Sequence, residues 1–177
     1  MAERIGFGRR LAAEIIDAIV ISTGGAVLGA VLGGVLGSAL GAGAGATSTD
    51  PGNVAIGGAV GGLFGALAGM ILGIFLMATV VAIWEGLTGA ALGKLALGIK
   101  IKAADGNPAS VPRLLARSLL KHIGQVLGLV AIFTGVEAIN TVGNVGMWVV
   151  IIGCLLVIGS QKQALHDMVA GTAVYPK

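Results

Sequence analysis

Residues 25–45 read GAVLGAVLGGVLGSALGAGAG, and residues 57–73 read GGAVGGLFGALAGMILG. In both stretches glycine returns at every fourth residue, so each predicted helix carries a continuous stripe of glycines on one face. Neither stretch contains a charged residue. Long apolar runs with small residues along one face are typical of transmembrane helices that pack closely together. The two stretches therefore predict an all-α integral membrane protein.

The composition of the whole chain agrees with this class. Hydrophobic residues make up 56% of the 177 residues, charged residues make up 11%, and the mean hydropathy is +0.99. Soluble domains carry about 25% charged residues, and disordered chains have far fewer aliphatic residues than this one. The 32 glycines lack the three-residue period of collagen. The composition excludes all three of these classes.

Four apolar segments approach or exceed the ~20 residues that a membrane-crossing helix needs. A cytoplasmic loop is predicted over residues 86–122, which includes the start of the third helix, and a cytoplasmic tail over 161–177. The whole chain, residues 1–177, is predicted to be a single domain. The four predicted helices span residues of about 11–46, 54–85, 112–139 and 143–160.

The basic residues predict the orientation in the membrane. All eleven lysines and arginines lie in the N-terminal segment, the long loop and the tail, whereas the connections at 47–53 and 140–142 have none. The positive-inside rule then places both termini in the cytoplasm, which predicts a multi-pass protein of the cell (inner) membrane. A cleaved secretory signal is the alternative for the first segment. We disfavour it because the apolar region of a signal is only about 7 to 15 residues long.

The two glycine stripes predict how the first two helices pack. Their connection of seven residues makes them neighbours, and small residues let two backbones approach closely in a bilayer. We predict an antiparallel glycine-zipper hairpin, with a homo-oligomer contact through one stripe as the alternative. The predicted packing residues are Gly25, Gly29, Gly33, Gly37, Gly41, Gly57, Gly61, Gly65, Gly69 and Gly73.

The long loop shows two further patterns. Polar and apolar residues alternate over 99–103, and the pair Asp105-Gly106 follows, which predicts a short β-hairpin. After Pro112, the basic residues Arg113, Arg117 and Lys121 recur at intervals of four, which predicts an amphipathic helix. Such a basic stripe suits the anionic headgroups of a lipid bilayer, and a solvated face is the alternative.

Four motifs in series resemble the RDD family of small bacterial membrane proteins. The family is named for one arginine and two aspartates, and the resemblance maps these onto Arg10, Asp17 and Asp167. This sequence departs from the family in having Ala91-Leu92 where threonine and proline are usual, and in its long glycine stripes. The motifs are FGRRLAAEIID at 7–17, GAALGKLALGIKI at 89–101, Asp105-Gly106 with Arg117 downstream, and LHD at 165–167 followed by Gly171-Thr172.

The resemblance implies a polar cluster at the cytoplasmic face. One hypothesis is the transport of a cation or another small solute, because a carboxylate beside an arginine can bind and release a proton or Na⁺. The alternative is a structural or assembly protein that transports nothing, in which the cluster clamps helices together. The candidate residues are Arg10, Asp17, Asp167, His166, Lys94 and Arg117.

The sequence gives little support to an enzyme. It has two histidines and one cysteine, too few for a typical zinc site, and no series of nucleophile, base and acid. We therefore expect no catalytic residues, no metal site, no cofactor and no binding of nucleic acid.

Overall fold

The structure is a computed structural model that describes residues 3–46 and 50–177. The chain forms two compact units. We call residues 18–80 the glycine unit, and residues 1–17 with 81–177 the mixed unit. The prediction of one domain over the whole chain remains a prediction. Part of the predicted connection between the first two helices, residues 47–49, lies outside the described residues.

The described residues are mainly helical, with one small sheet. The first two helices have 39 and 38 residues, which gives them lengths of about 59 and about 57 Å at 1.5 Å per residue. A short 3-10 helix, Leu155–Ile158, continues from the sixth helix. The elements are α1 (Phe7–Gly45), α2 (Pro51–Thr88), α3 (Leu92–Ala96), β1 (Ile99–Ala103), α4 (Val111–Lys121), α5 (Ile123–Thr134), α6 (Glu137–Cys154), α7 (Leu165–Val169) and β2 (Thr172–Pro176).

Three of the described helical segments are long and apolar enough to cross a membrane: α1, α2, and α6 together with its 3-10 extension. The pair α4 and α5 meets the same test only as one broken segment, because the two helices meet at an angle of 74°. The prediction of a helical membrane protein is therefore supported, with three candidate spans, or four if the bent pair counts as one.

The two glycine stripes face each other within the glycine unit. A Cβ atom added at Gly33 would overlap the carbonyl oxygen of Gly65 and lie 2.8 Å from the Cα atom of Gly69. A Cβ at Gly25 would lie 2.6 Å from the Cα atom of Ile74. Only glycine permits so close an approach of two backbones. Gly25 also contacts Gly73, and the other predicted glycines make similar contacts in antiparallel register, namely Gly29 with Gly69, Gly37 with Gly61, and Gly41 with Gly57.

The third predicted helix, over 112–139, is wrong in its extent. The structure has two helices here, which meet at His122, where the sequence changes from an amphipathic pattern to a mainly apolar one. α5 ends at Thr134 because Gly135 adopts the left-handed conformation, with φ at 69°. α6 then begins at Glu137, six residues before the predicted start at 143. The connection predicted at 140–142 therefore lies inside α6.

The predicted β-hairpin is also wrong, although its first strand is correct. β1 pairs in antiparallel fashion with β2 at the far end of the chain, with Ile101 opposite Val174. Asp105 does form a turn, since its side chain accepts the backbone N–H of Asn107. Pro108 follows this turn, and proline cannot donate to a strand ladder. The chain therefore enters α4 instead of returning as a strand.

A small apolar core lies beneath the sheet of the mixed unit. It joins the N-terminal segment to the sheet, because the backbone N–H of Ile5 donates to the carbonyl oxygen of Val174 at 2.8 Å. The N-terminal and C-terminal segments of the chain are therefore packed together in this unit. The buried core residues are Ile5, Ala13, Ile99, Ile101, Leu114 and Val174.

We expect Gly33→Ala to destabilise the protein by about 1 to 3 kcal/mol, because the new methyl group overlaps the facing backbone. The matched control is Gly43→Ala in the same helix, where an added Cβ meets nothing within 4 Å. Alanine favours a helix over glycine by about 0.5 to 1 kcal/mol, so this control should be neutral or stabilising. Thermal unfolding in detergent measures both. Equal effects of the two variants would contradict the observed packing.

Candidate functional site

A buried network of charges joins five helices of the mixed unit. Each helix contributes one or two ionisable side chains, and together they form a continuous series of ion pairs. We call these seven residues the charge network. Its members are Arg10 and Glu14 from the start of α1, Glu85 from the end of α2, Lys94 from α3, Arg117 and Lys121 from α4, and Asp167 from α7.

Asp167 is the innermost carboxylate of the network. It is fully buried and accepts one hydrogen bond from Arg10 Nη1 at 2.5 Å and one from Arg117 Nε at 2.6 Å. Burial alone raises the pKa of this carboxyl, but the charges of Arg117 and Arg10 outweigh that effect and hold the pKa well below its ordinary value. Asp167 is therefore ionised throughout the physiological pH range.

Glu85 is the central carboxylate. Its Oε1 atom accepts a hydrogen bond from Arg117 Nη1 at 2.5 Å, so Arg117 bridges the two buried acids. Its Oε2 atom lies 3.3 Å from Lys94 Nζ and 3.4 Å from Lys121 Nζ. Three cations thus neutralise one buried glutamate, the condition under which a buried charge is tolerated.

Glu14 forms the outer end of the network. Lys94 Nζ lies 2.6 Å from Glu14 Oε1, and Lys121 Nζ donates to both carboxylate oxygens at 2.8 Å. The side chain of Glu14 is 42% exposed, in contrast to the two buried acids. Burial therefore decreases along the network from Asp167 to Glu14. The ion pairs connect four cations to three carboxylates, and the buried carboxylate of Asp17 lies outside these pairs but interacts electrostatically with Lys94.

The sequence interpretation placed Asp17 beside Arg10, but in the structure the two side chains do not contact each other. Asp17 is buried, and its Oδ1 atom accepts the backbone N–H of Gly93 in the first turn of α3, at 2.7 Å. Its Oδ2 atom has no hydrogen-bond partner among the described residues. Gly93 lies so close to the backbone of Ala13 that an added Cβ would overlap it. This close approach brings the N–H of Gly93 within reach of Asp17.

His166 lies beside the network as a neutral side chain. Burial lowers the pKa of this imidazole to about 3, and the nearby charge of Arg117 lowers it further in the same direction. Its Nε2 atom is 3.6 Å from Asp167 Oδ1, and its Nδ1 atom is buried without a hydrogen-bond partner among the described residues.

Of the six predicted cluster residues, four belong to the charge network: Arg10, Lys94, Arg117 and Asp167. The sequence interpretation missed three members, namely Glu14, Glu85 and Lys121. Glu85 carried a usable signal, because a carboxylate at the end of an apolar helix is costly unless it has a partner. Lys121 was instead assigned to the basic stripe on α4, together with Arg113 and Arg117. Only Arg113 of that stripe is exposed, whereas Arg117 and Lys121 enter the network instead of facing lipid headgroups.

The comparison with known families agrees with the motifs. The RDD family matches residues 4–171, which is nearly the whole chain. The chain belongs to the RDD family. No curated protein and no solved structure gives a match. In this RDD-family protein, the matched range includes the whole charge network and both glycine stripes. Within the described residues, no three histidine, cysteine or acidic side chains are placed to hold a metal ion.

The neutral state of His166 predicts how stability depends on pH. The unfolded chain binds a proton at this residue near pH 6.5, whereas the folded protein binds it only near pH 3. Stability is therefore lost as the pH falls through the interval between these values. We expect the melting temperature of His166→Gln to decrease less between about pH 7 and about pH 5 than that of the wild type. Parallel decreases would show that His166 is not the responsible group.

Proposed function

We propose that this RDD-family protein is a multi-pass protein of the bacterial inner membrane in which the charge network is a structural clamp. The pairing of Asp167 carries this proposal. Two arginines from different helices hold this fully buried carboxylate, and one of them also holds the buried Glu85. A carboxylate that carries a solute must exchange its partners with water, whereas these acids have no exposed surface to do so.

We further propose that the chain crosses the membrane four times, with both termini in the cytoplasm. Arg10 contacts Asp167, and Arg117 contacts both Asp167 and Glu85, so these residues lie on one side of the membrane. An even number of crossings must then separate them. α1 and α2 provide two, and α5 and α6 provide two more as a hairpin.

The short length of α5 gives this topology a definite alternative. Its 12 residues extend about 18 Å, less than the ~30 Å of a bilayer core. A crossing by α5 requires local thinning of the membrane. The alternative is that α5 and α6 enter the membrane and return to the same side. Both arrangements leave Arg117 and Asp167 on the same side of the membrane.

Within the bilayer, we propose that α1 and α2 pack as a glycine zipper. Hydrophobic burial does not drive helices together in lipid, so close backbone contact must provide the attraction. The facing stripes of the glycine unit offer such contact at five glycine pairs. Because each stripe is already occupied by the other, a homo-oligomer would have to use a different surface. Anionic headgroups at the cytoplasmic face would contact exposed basic residues such as Arg113.

Transport of a cation or proton is the second candidate function, and Asp17 favours it. One oxygen of this buried carboxylate has no hydrogen-bond partner among the described residues. Buried acids without full partners are typical of ion and proton pathways in membranes. In this alternative, Asp17 binds the transported ion, while the charge network retains its structural role.

The variant Asp167→Asn tests the clamp. We expect it to lower the free energy of unfolding by about 3 to 5 kcal/mol, since it leaves two arginines without their buried partner. The control is Glu3→Gln, which removes an exposed ion pair with Lys162 and should leave the stability nearly unchanged. Thermal unfolding in detergent measures both variants. Similar stability of the two would contradict the clamp.

Flux into liposomes on the same preparations separates the two functions. A structural protein should leave an imposed Na⁺ or pH gradient intact. Dissipation of the gradient by the wild type, abolished in Asp17→Asn without loss of stability, would establish transport instead.

Cysteine labelling tests the topology. In a Cys154→Ser background, single cysteines replace Asn53, Val136 and Asp105. We expect a membrane-impermeant maleimide to modify positions 53 and 136 on intact cells, and position 105 only after permeabilisation. Protection of position 136 alone would indicate the re-entrant hairpin. Labelling of position 105 on intact cells would show that the protein has the opposite orientation.

A further inference from the structure

A cavity of about 210 Å³ lies against the outer end of the charge network, within the mixed unit. Four cations line it, but only one of the three network carboxylates does, namely Glu14. The other two acids, Glu85 and Asp167, lie behind the cations that they neutralise. The rest of the wall is largely apolar. The lining residues that matter here are Arg10, Glu14, Lys121, Cys154, Val157 and His166.

We propose that this cavity is a binding site for a small amphiphilic carboxylate, with its charged group beside Lys121 and its apolar part against Cys154 and Val157. The lining of the cavity carries this assignment, since four cations face it and Glu14 is the only network carboxylate among the lining residues. The cavity shares Arg10 and Arg117 with the clamp around Asp167, but the ligand is placed beside Lys121, so either proposal can fail without the other.

Glu14 shows that a carboxylate fits between the two lysines. Lys121 donates to both of its oxygens at 2.8 Å, and Lys94 contacts the same group. The side chains of Glu14 and Lys121 are 42% and 18% exposed, so this end of the network is accessible to an incoming ligand. A ligand carboxylate would therefore compete with Glu14 for Lys121.

His166 provides an independent indication of a ligand. Its side chain lines the cavity and is almost completely buried, yet its Nδ1 atom has no partner among the described residues. A buried polar atom without a hydrogen bond carries a free-energy cost of about 1 to 3 kcal/mol. Because Nε2 faces the Asp167 carboxylate, the neutral ring carries its proton there and Nδ1 is an acceptor. A water molecule held by the ligand carboxylate can donate a hydrogen bond to it.

The volume of the cavity is suited to a ligand slightly larger than benzene. An apolar cavity of about 150 Å³ holds benzene in another protein. The larger volume here accommodates a six-carbon group together with a carboxylate. It is too small for the two acyl chains of a phospholipid. Benzoate is therefore a suitable probe, and benzamide is a neutral molecule of nearly the same shape.

The experiment measures binding of benzoate and benzamide to the full-length protein in detergent by isothermal titration calorimetry. We expect benzoate to bind at millimolar concentration and benzamide at least about tenfold more weakly, a difference of about 1.4 kcal/mol. Benzoate should also slow the alkylation of Cys154, the only cysteine of the chain, by N-ethylmaleimide. Absence of benzoate binding, or equal binding of benzamide, would overturn the proposal.

Two variants test the role of the lysines. Glu14→Gln removes the internal competitor and should tighten benzoate binding by about tenfold. Lys121→Gln should weaken binding, whereas Arg113→Gln, which removes an exposed charge from the same helix, should not. If Lys121→Gln does not fold, Cys154→Leu narrows the cavity without altering its charges and should abolish binding. An unchanged affinity of Glu14→Gln for benzoate would contradict the proposed competition between benzoate and Glu14 for Lys121.

Further probes separate the possible sources of the anion. Inorganic phosphate and acetate lack the apolar part and should bind more weakly than benzoate. Equal affinity for phosphate would show a general anion site and overturn the amphiphilic assignment. Loss of benzoate binding in nanodiscs that contain anionic lipid, but not in nanodiscs of neutral lipid, would identify a lipid as the occupant and likewise overturn it.

Discussion

The burial of the Asp167 carboxylate is the constraint on which the mixed unit depends. An ionised carboxylate without water must have cationic partners, and here two arginines supply them. Arg10 is 157 residues away in sequence, so the chain must leave this point and return to it. In the topology proposed above, that requirement means that an even number of membrane crossings separates the two residues.

The two units are stabilised by different physical interactions. In the glycine unit, the facing glycines bring the backbones of the two helices into direct contact, and the sequence from 18 to 80 has a single charged residue, Asp50. If these helices lie in the bilayer as proposed, dispersion forces and weak Cα–H contacts between the closely fitting backbones stabilise the unit. The mixed unit relies on ion pairs, which are directional and specify which helices meet. The first kind of packing needs only periodicity, whereas the second needs particular residues.

This difference explains which features the sequence could predict. Apolar length and the four-residue glycine period are local patterns, and they predicted helical segments and the residues that face each other across the glycine unit. The partner of β1, the break at His122 and the inclusion of Glu85 all depend on residues distant in sequence. No local pattern distinguishes Lys121 in an ion pair from Lys121 at a lipid surface. The family resemblance supplied Arg10 and Asp167, but it could not supply the pairing of Asp17.

The gradient of burial along the charge network allows two roles within one set of ion pairs. Disturbing a fully buried pair leaves an uncompensated charge and costs several kcal/mol, whereas an exposed pair contributes about 1 kcal/mol or less. Exchange of ion-pair partners therefore has a high free-energy cost at Asp167 and a low one at Glu14. Arg117 and Lys94 connect the two ends, so a change at Glu14 alters the electrostatic field at the clamp without breaking it. A structural network of this kind can respond to a ligand only at its exposed end.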